Sequence, residues 1–213
     1  LVGSEMCIRD RNHINPQVLS DSCLAHQATE LNLTRNNISL DTVELLNSLQ
    51  SPDRPLDLVL IKIPKTLSLL EDQLHRIRPY LRPDSKIIGA GMAKNIHTST
   101  LQLFEKIIGP TKTSLAQQKA RLIYCQFDSV LQPGTSPYPT SYQLENSSYQ
   151  IMNHANVFSR EKLDIGTRLF LDQVPSLPVP KRIVDLGCGN GVVGLIAAER
   201  NPEAELVFVD ESY

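Results

Sequence analysis

Long apolar runs are missing from this chain: no stretch of its 213 residues approaches the length of a membrane span, and no secretory leader is visible. Cysteine is scarce and scattered. Cys7, Cys23, Cys125 and Cys188 form no C-x-x-C pair and have no histidine at ligand spacing, which argues against zinc and against a disulfide framework. A reducing cytoplasm is the expected location. Net charge is nearly absent as well. The 21 Lys and Arg face 23 Asp and Glu, a balance of −2 that gives no global attraction to nucleic acid. Apolar residues make up 41%, enough for a core in one large or two small domains.

What the chain does contain is one glycine-dense stretch near its C-terminal end, Ile183-Val184-Asp185-Leu186-Gly187-Cys188-Gly189-Asn190-Gly191-Val192-Val193-Gly194. A β-branched pair runs into Asp185, then a glycine turn, then apolar residues at helical spacing (Val192, Leu195, Ile196). A second apolar run, Leu206-Val207-Phe208-Val209, ends in Asp210. The order is strand, tight turn, helix, strand, with a carboxylate closing each strand. Glycines let the backbone pass close to a ligand, and the helix start offers free N–H groups. Asp210 follows Asp185 by 25 residues (210 − 185), at the tip of the next strand, where a carboxylate can bond both hydroxyls of a ribose.

Gly189, Gly191 and Gly194 also satisfy the dinucleotide fingerprint G-x-G-x-x-G, so a nicotinamide or flavin site is an alternative. Asp185, immediately before the turn, would repel a pyrophosphate but welcome a sulfonium-bearing amino acid, and Gly187 extends the turn at its start. The string Val-Asp-Leu-Gly-Cys-Gly-Asn-Gly resembles the first motif of class I methyltransferases, which bind S-adenosylmethionine.

Residues 1–11 match nothing periodic that follows. Their run Val-Gly-Ser-Glu-Met-Cys-Ile-Arg-Asp-Arg resembles the translated read-through of a sequencing adapter and is set aside, so the true beginning is expected to be missing. From Pro16 the pattern is α/β. Residues 17–21 read as a short strand, 23–33 as a helix, 36–40 as a turn and strand, and 42–49 as a helical stretch. After the loop 51–55, the run Leu56-Asp57-Leu58-Val59-Leu60-Ile61 has the character of a strand buried on both faces of a parallel sheet. Leu67, Leu70, Leu74, Ile77 and Leu81 then recur at helical spacing. Residues 85–90 predict a strand, 98–108 a helix stopped by Gly109-Pro110, and 120–127 a further strand. This is the later part of a doubly wound sheet without its glycine loop.

Turn formers at 132–140 predict a linker. Beyond it, residues 141–145 and 149–152 alternate around Asn146-Ser147-Ser148 as a hairpin, and Leu169, Phe170 and Val174 mark a helix. Charge is uneven along the chain. Between Leu58 and Arg121 stand eleven Lys and Arg against four acids, a local excess of +7 suited to a phosphate backbone, or simply to solvated helix faces. Lys94 and His97, in a loop after a strand, are candidates to touch ligand or RNA, while a lone histidine reads first as a structural residue.

Four segments narrow the superfamily: residues 59–67 (Val-Leu-Ile-Lys-Ile-Pro-Lys-Thr-Leu), 97–106 (His-Thr-Ser-Thr-Leu-Gln-Leu-Phe-Glu-Lys), 153–160 (Asn-His-Ala-Asn-Val-Phe-Ser-Arg) and 163–168 (Leu-Asp-Ile-Gly-Thr-Arg). Together they resemble the bacterial large-subunit ribosomal RNA guanine-N2 methyltransferases of the RlmG type, sisters of the small-subunit RsmC enzymes. The resemblance covers nearly everything from Val18 to Ser212. It implies an α/β fold of tandem class I (Rossmann-like) methyltransferase domains, the N-terminal one degenerate and the C-terminal one truncated. Residues 12–131 would be the degenerate, RNA-assisting domain, 132–140 the linker, and 141–213 the start of the catalytic domain. In the degenerate copy the acceptor turn reads Lys62-Ile63-Pro64-Lys65, and lysines cannot accept hydrogen bonds from an amino group.

By the same resemblance, Asp185, Gly187, Gly189 and Gly191 would hold the methionine part of S-adenosylmethionine and Asp210 its ribose. Phe158, Asp164 and Gly166 would line the mouth of that pocket. Lys62, Lys65, Arg76, Arg78 and Lys94 are the RNA-binding candidates. The implied partner is 23S ribosomal RNA, free of protein or in an early assembly intermediate, and the implied state a monomer with no membrane contact. The Asn-Pro-Pro turn that would receive the guanine amino group falls beyond Tyr213, so the 213-residue chain is expected not to methylate and to present no catalytic residues of its own. Two other readings stay open: a methyltransferase for a protein or small-molecule acceptor, and a non-catalytic RNA-binding module.

Overall fold

A computed structural model describes residues 15–179 and 182–212. The adapter-like stretch, residues 1–11, lies outside the described residues. The described residues divide into two compact units, one of residues 15–52 with 210–212 and one of residues 53–179 with 182–209.

In the first unit, β1 (Gln17–Leu19) and β2 (Glu44–Leu46) pair in parallel, with Val18 opposite Leu45, and α1 (Cys23–Arg35) connects them. Ser22 starts the helix by accepting from the Ala25 N–H, and Glu211 adds a carbonyl that receives the Cys23 N–H at 3.1 Å. Residues 42–49 are not the expected helix. A short 3-10 helix at Leu40–Thr42 gives way to β2, and Asn47 then closes a turn by accepting from the Leu49 N–H at 2.9 Å. Ladder bonds to β1 supply what the weak local periodicity could not, and they override it. The strand expected within 36–40 is likewise a turn.

The second unit opens with β3 (Leu56–Lys62), α2 (Leu67–Ile77), β4 (Leu81–Met92), α3 (Thr98–Ile107), β5 (Thr111–Thr113) and β6 (Ala120–Gln126). Their sheet runs β3-β4-β6-β5, with β3 and β4 parallel and β6 antiparallel to both of its neighbours. Leu70 and Leu74 from α2 and Phe104 and Ile107 from α3 are fully buried and pack with Ile87 and Ile123. Both helices therefore cover the same face. This corrects the expectation that β3 is buried on both sides: Val59 and Ile61 reach that core, whereas Leu58 and Leu60 are 47% and 55% exposed. An apolar run alone cannot tell which faces will be covered. The apolar spacing that includes Leu81 also overruns its helix, because Pro79 interrupts the ladder and a 3-10 turn at Arg78–Tyr80 leads into β4.

The segment after β6 has no helix or strand until β7 (Thr140–Gln143), yet side chains bind it along its length. Arg78 donates to the carbonyls of Ile107 (2.7 Å), Ile108 (3.2 Å), Asp128 (2.9 Å) and Leu131, and stacks 5.0 Å over the Phe127 ring. Ser136 donates to Asp72 at 3.3 Å and Tyr138 to Glu71 at 3.1 Å.

β7 and β8 (Gln150–Asn153) form the expected hairpin. Then come α4 (Ile165–Gln173), β9 (Arg182–Leu186), α5 (Val192–Arg200) and β10 (Glu205–Val209), with β9 and β10 parallel and Leu186 opposite Val209. Leu144 and Ile151 from the hairpin, Leu163 and Leu171 around α4, and Val192 and Ile196 from α5 bury one another in a second core. That core seats the glycine turn between β9 and α5.

Candidate functional site

Gly187, Gly189 and Gly191 carry φ angles of 73°, 51° and 74°. Any L-residue with a side chain would pay about 1–2 kcal/mol at each such position, so the turn needs glycine for its backbone shape alone. The four glycines then divide by surroundings. A β-carbon at Gly187 or Gly189 would meet nothing within 4 Å, which leaves the backbone open to close approach by a ligand. At Gly191 the Phe208 ring already stands 3.4 Å away, and at Gly194 it stands closer still. The first two glycines face open space; the last two serve the packing of α5 on β10.

The N–H groups of the turn are largely satisfied from within. Gly187 and Cys188 donate to the Val209 carbonyl at 2.7 and 3.1 Å, and Gly191 donates to Cys188 at 2.7 Å. Asn190 Oδ1 accepts from the Val192 N–H at 3.3 Å, and Asp185 Oδ2 from the Gly194 N–H at 2.8 Å. Asp185 is buried, and its negative charge sits at the positive start of α5. A dinucleotide site uses helix-start amides to bind pyrophosphate. Here two of those amides are capped by the chain's own side chains, one of them a carboxylate. The arrangement suits a cationic or neutral group beside the turn and opposes a diphosphate.

Sequence reasoning named eight cofactor residues, and Asp185, Gly187, Gly189 and Gly191 come together in this turn. Asp210 follows Val209 directly at the end of β10, and its Oδ1 accepts from the Ser212 N–H at 3.0 Å. Asp164 caps α4, accepting from the Thr167 N–H at 3.0 Å. Gly166 packs under that carboxylate, with Asp164 Oδ2 3.1 Å from where a β-carbon would be. Phe158 is 75% exposed. Its segment is tied to the start of α2: Thr66 Oγ1 donates to Asn156 Oδ1 at 3.2 Å, joining two of the stretches that carry the family resemblance.

The basic candidates separate into two groups. Lys62 ends β3 and Lys65 follows it, and Lys94 follows the parallel neighbour β4, so all three are exposed at the carboxyl edge of one sheet. Arg76 is instead bound to Asp72 at 2.7 Å, both side chains mostly covered, and Arg78 is spent on backbone carbonyls. Two further cations belong to the basic stretch between Leu58 and Arg121 but were not singled out as candidates. Lys119 immediately precedes antiparallel β6 and Arg121 is its second residue; Arg121 lies opposite Gly91 and the Lys119 carbonyl accepts from the Ala93 N–H at 2.8 Å, so both reach the same edge. Only the pairing register reveals this. His97 stands exposed just ahead of α3 at this edge.

Comparison with known proteins adds family to geometry. The family described as RLMG N-terminal domain matches residues 6–129, and the Methyltransferase small domain matches residues 148–213. Ribosomal RNA large subunit methyltransferase G of Streptomyces avermitilis is 50% identical over 203 residues, 93% of this chain and 53% of the relative. The Yersinia enterocolitica protein of the same name is 52% identical over 199 residues, covering 93% of this chain and 50% of its own length. The chain thus spans about half the length of the curated relatives it matches. Among solved structures, the T. thermophilus 16S rRNA N2 methyltransferase RsmC, in complex with AdoMet and guanosine, superposes with a TM-score of 0.71 at 18% identity. That match covers 92% of this chain and 53% of the other, and it shows a shared mixed α/β methyltransferase fold.

Proposed function

We infer, for a chain that belongs to the RlmG family of ribosomal RNA large subunit methyltransferases, that it carries the RNA-assisting and cofactor-binding portions of an enzyme that methylates guanine N2 in 23S ribosomal RNA. The observation that carries this reading is the glycine turn: two left-handed glycines open to close approach, beside helix-start amides already capped by Asp185 and Asn190. Gly187 and Gly189 would let the methionine part of S-adenosylmethionine lie against bare backbone, with the Asp185 charge nearby to favour its ammonium and sulfonium groups. Gly191 holds the turn's shape, and Asp210, at the tip of the following strand, would take the ribose hydroxyls. Phe158, Asp164 and Gly166 would border the opening, with Asp164 also holding the start of α4. When bound, the cofactor supplies an electrophilic methyl group. The protein's own task is to orient the acceptor and exclude water.

The exposed cations at the sheet edge support RNA as the partner. Lys62, Lys65 and Lys94, joined by Lys119 and Arg121, gather positive charge on a chain whose overall balance is −2. Arg76 and Arg78 would assist from behind by fixing α2 and the segment after β6. The family matches at 6–129 and 148–213 support a degenerate first domain over 12–131, a linker over 132–140 and a catalytic domain beginning at 141. Among the described residues no helix is long and apolar enough to cross a membrane. The setting proposed with this function is a monomer that meets ribosomal RNA in the cytoplasm.

Calorimetric titration tests the cofactor. Adenosylhomocysteine should bind and NADH should not; saturation by NADH alone would overturn the reading. A filter-binding series with large-subunit ribosomal RNA, a protein substrate extract and free nucleosides then separates an RNA acceptor from the other two classes.

A further inference from the structure

We propose that Asn153 is a positioning residue for the glycine turn, acting through Asn190. The proposal rests on the reading of that turn as the cofactor site. Asn190 is the single non-glycine residue between Gly189 and Gly191, both left-handed. A turn with so few side chains has little of its own to hold it in one shape, because glycine loses more conformational freedom on ordering than any other residue. Asn190 is therefore its natural anchor.

The side-chain amide of Asn190 is engaged on every side. Its Oδ1 accepts from the Val192 N–H at 3.3 Å, its Nδ2 donates to Asn153 Oδ1 at 2.9 Å, and Tyr142 Oη lies 3.4 Å from the same nitrogen. An amide group offers two N–H donors and one oxygen, and this set matches that inventory. Asn153 is fixed in turn. It is the last residue of β8, has no exposed surface, and donates from Nδ2 to the Ile151 carbonyl at 3.0 Å. That bond orients its Oδ1 toward Asn190. Tyr142 comes from β7, so the whole clamp belongs to the hairpin.

A buried asparagine at a strand end that spends one end on its own strand and the other on a glycine turn does more than fill space. It transmits the rigidity of the hairpin to the backbone at 189–191, so that the ligand meets a turn already shaped. The segment that follows, 153–160, also reaches Thr66 through Asn156, and so the hairpin end is itself braced.

The test uses the 213-residue chain with Asn153→Leu, which keeps the volume and removes the acceptor. Hydrogen exchange should quicken at the amides of residues 187–192 by about tenfold or more while those of β4 stay unchanged, since only the local opening is altered. Adenosylhomocysteine affinity should fall by about tenfold. In a double-mutant cycle, Asn153→Leu and Asn190→Ala should be clearly less than additive, because both remove the bond between the two amides, although Asn190→Ala also removes the bonds to Val192 and Tyr142. Unaltered exchange in the turn, or effects of the two substitutions that simply add, would overturn the proposal. Should Asn153→Leu fail to fold, Asn190→Ala alone must show the same quickened exchange, and its absence is equally fatal. If the parent chain binds no adenosylhomocysteine while Asn153→Leu still loosens the turn, the positioning link stands and the cofactor reading fails.

Discussion

The ring of Phe208 lies against Gly194 so closely that a β-carbon on the glycine would stand 2.2 Å from Cε1 and 2.7 Å from Cζ. No side chain fits there unless the ring moves. This contact sets α5 on β10 and thereby fixes where the turn ahead of α5 can lie.

Gly194→Ala and Gly187→Ala should consequently fail in different ways. At Gly194 the cost is overpacking, and because Phe208 is 50% exposed its ring can swing aside, so about 1 kcal/mol of stability should be lost in urea denaturation. Adding Phe208→Ala should recover part of it. At Gly187 the cost is backbone strain of about 1–2 kcal/mol, and the new methyl also enters the open space where the ligand is placed. Calorimetry should show adenosylhomocysteine binding lost in Gly187→Ala and largely retained in Gly194→Ala.

Arg78→Ala should destabilise the chain by about 2 kcal/mol, the loss of a charged donor shared among part-buried carbonyls. Arg78→Lys should recover little, since an ammonium cannot span acceptors on both sides of a planar fork. RNA affinity measured well below the lowered melting midpoint should be close to that of the parent. A large loss of affinity in a still-folded Arg78→Ala would instead place this guanidinium on phosphate.

Lys62, Lys65, Lys94, Lys119 and Arg121 should behave in the opposite manner. Each single change to Ala should leave the melting midpoint nearly unchanged, as expected for exposed side chains. Each residue that touches phosphate should reduce the slope of log affinity against log salt by about 0.7–0.9. Equal slopes for the parent and for the variant with all five replaced would remove this edge from the RNA interface.

Cys125 should resist alkylation in the folded chain. Burial pushes its thiol above the ordinary cysteine range, with the Thr111 hydroxyl and the Gly109 carbonyl close to the sulfur, so little thiolate is present at mildly alkaline pH. Iodoacetamide at pH 8 should label the partly exposed Cys23 and Cys188 first, and Cys125 only on unfolding. The native state holds its proton more tightly than the unfolded state does. This contribution to stability is therefore present below the unfolded thiol's range and is lost as pH rises through the higher folded value. Mass spectrometry of labelled peptides across pH 7–10 checks both halves of the statement.

The glycine turn was legible in the sequence because its requirements are local: three left-handed residues between a strand and a helix favour glycine at each. The helices α2 and α3 were legible for the same reason, through Leu70, Leu74 and Phe104 recurring on one side. What escaped depended on partners far along the chain. Residues 44–46 are a strand only because residues 17–19 lie beside them. Leu58 and Leu60 are exposed because both helices chose the other face, a choice that their own strand does not encode. Arg76 and Arg78 looked like free charge until Asp72 and four carbonyls claimed them, although Asp72 and Arg76 at i and i+4 did announce the ion pair. The bond between Asn153 and Asn190 left no trace at all in a linear reading.

By composition the segment after β6 is a tether, yet Arg78, Asp72 and Glu71 hold it down at Asp128, Leu131, Ser136 and Tyr138. A strap fastened at four points cannot be lengthened freely. Insertions of glycine and serine, harmless in a slack connector, should here dislodge the guanidinium and phenol that rely on fixed spacing, and proteases should find few sites to nick. The way the hairpin leaves the first sheet is thus set by the chain's own fittings rather than left to thermal wandering.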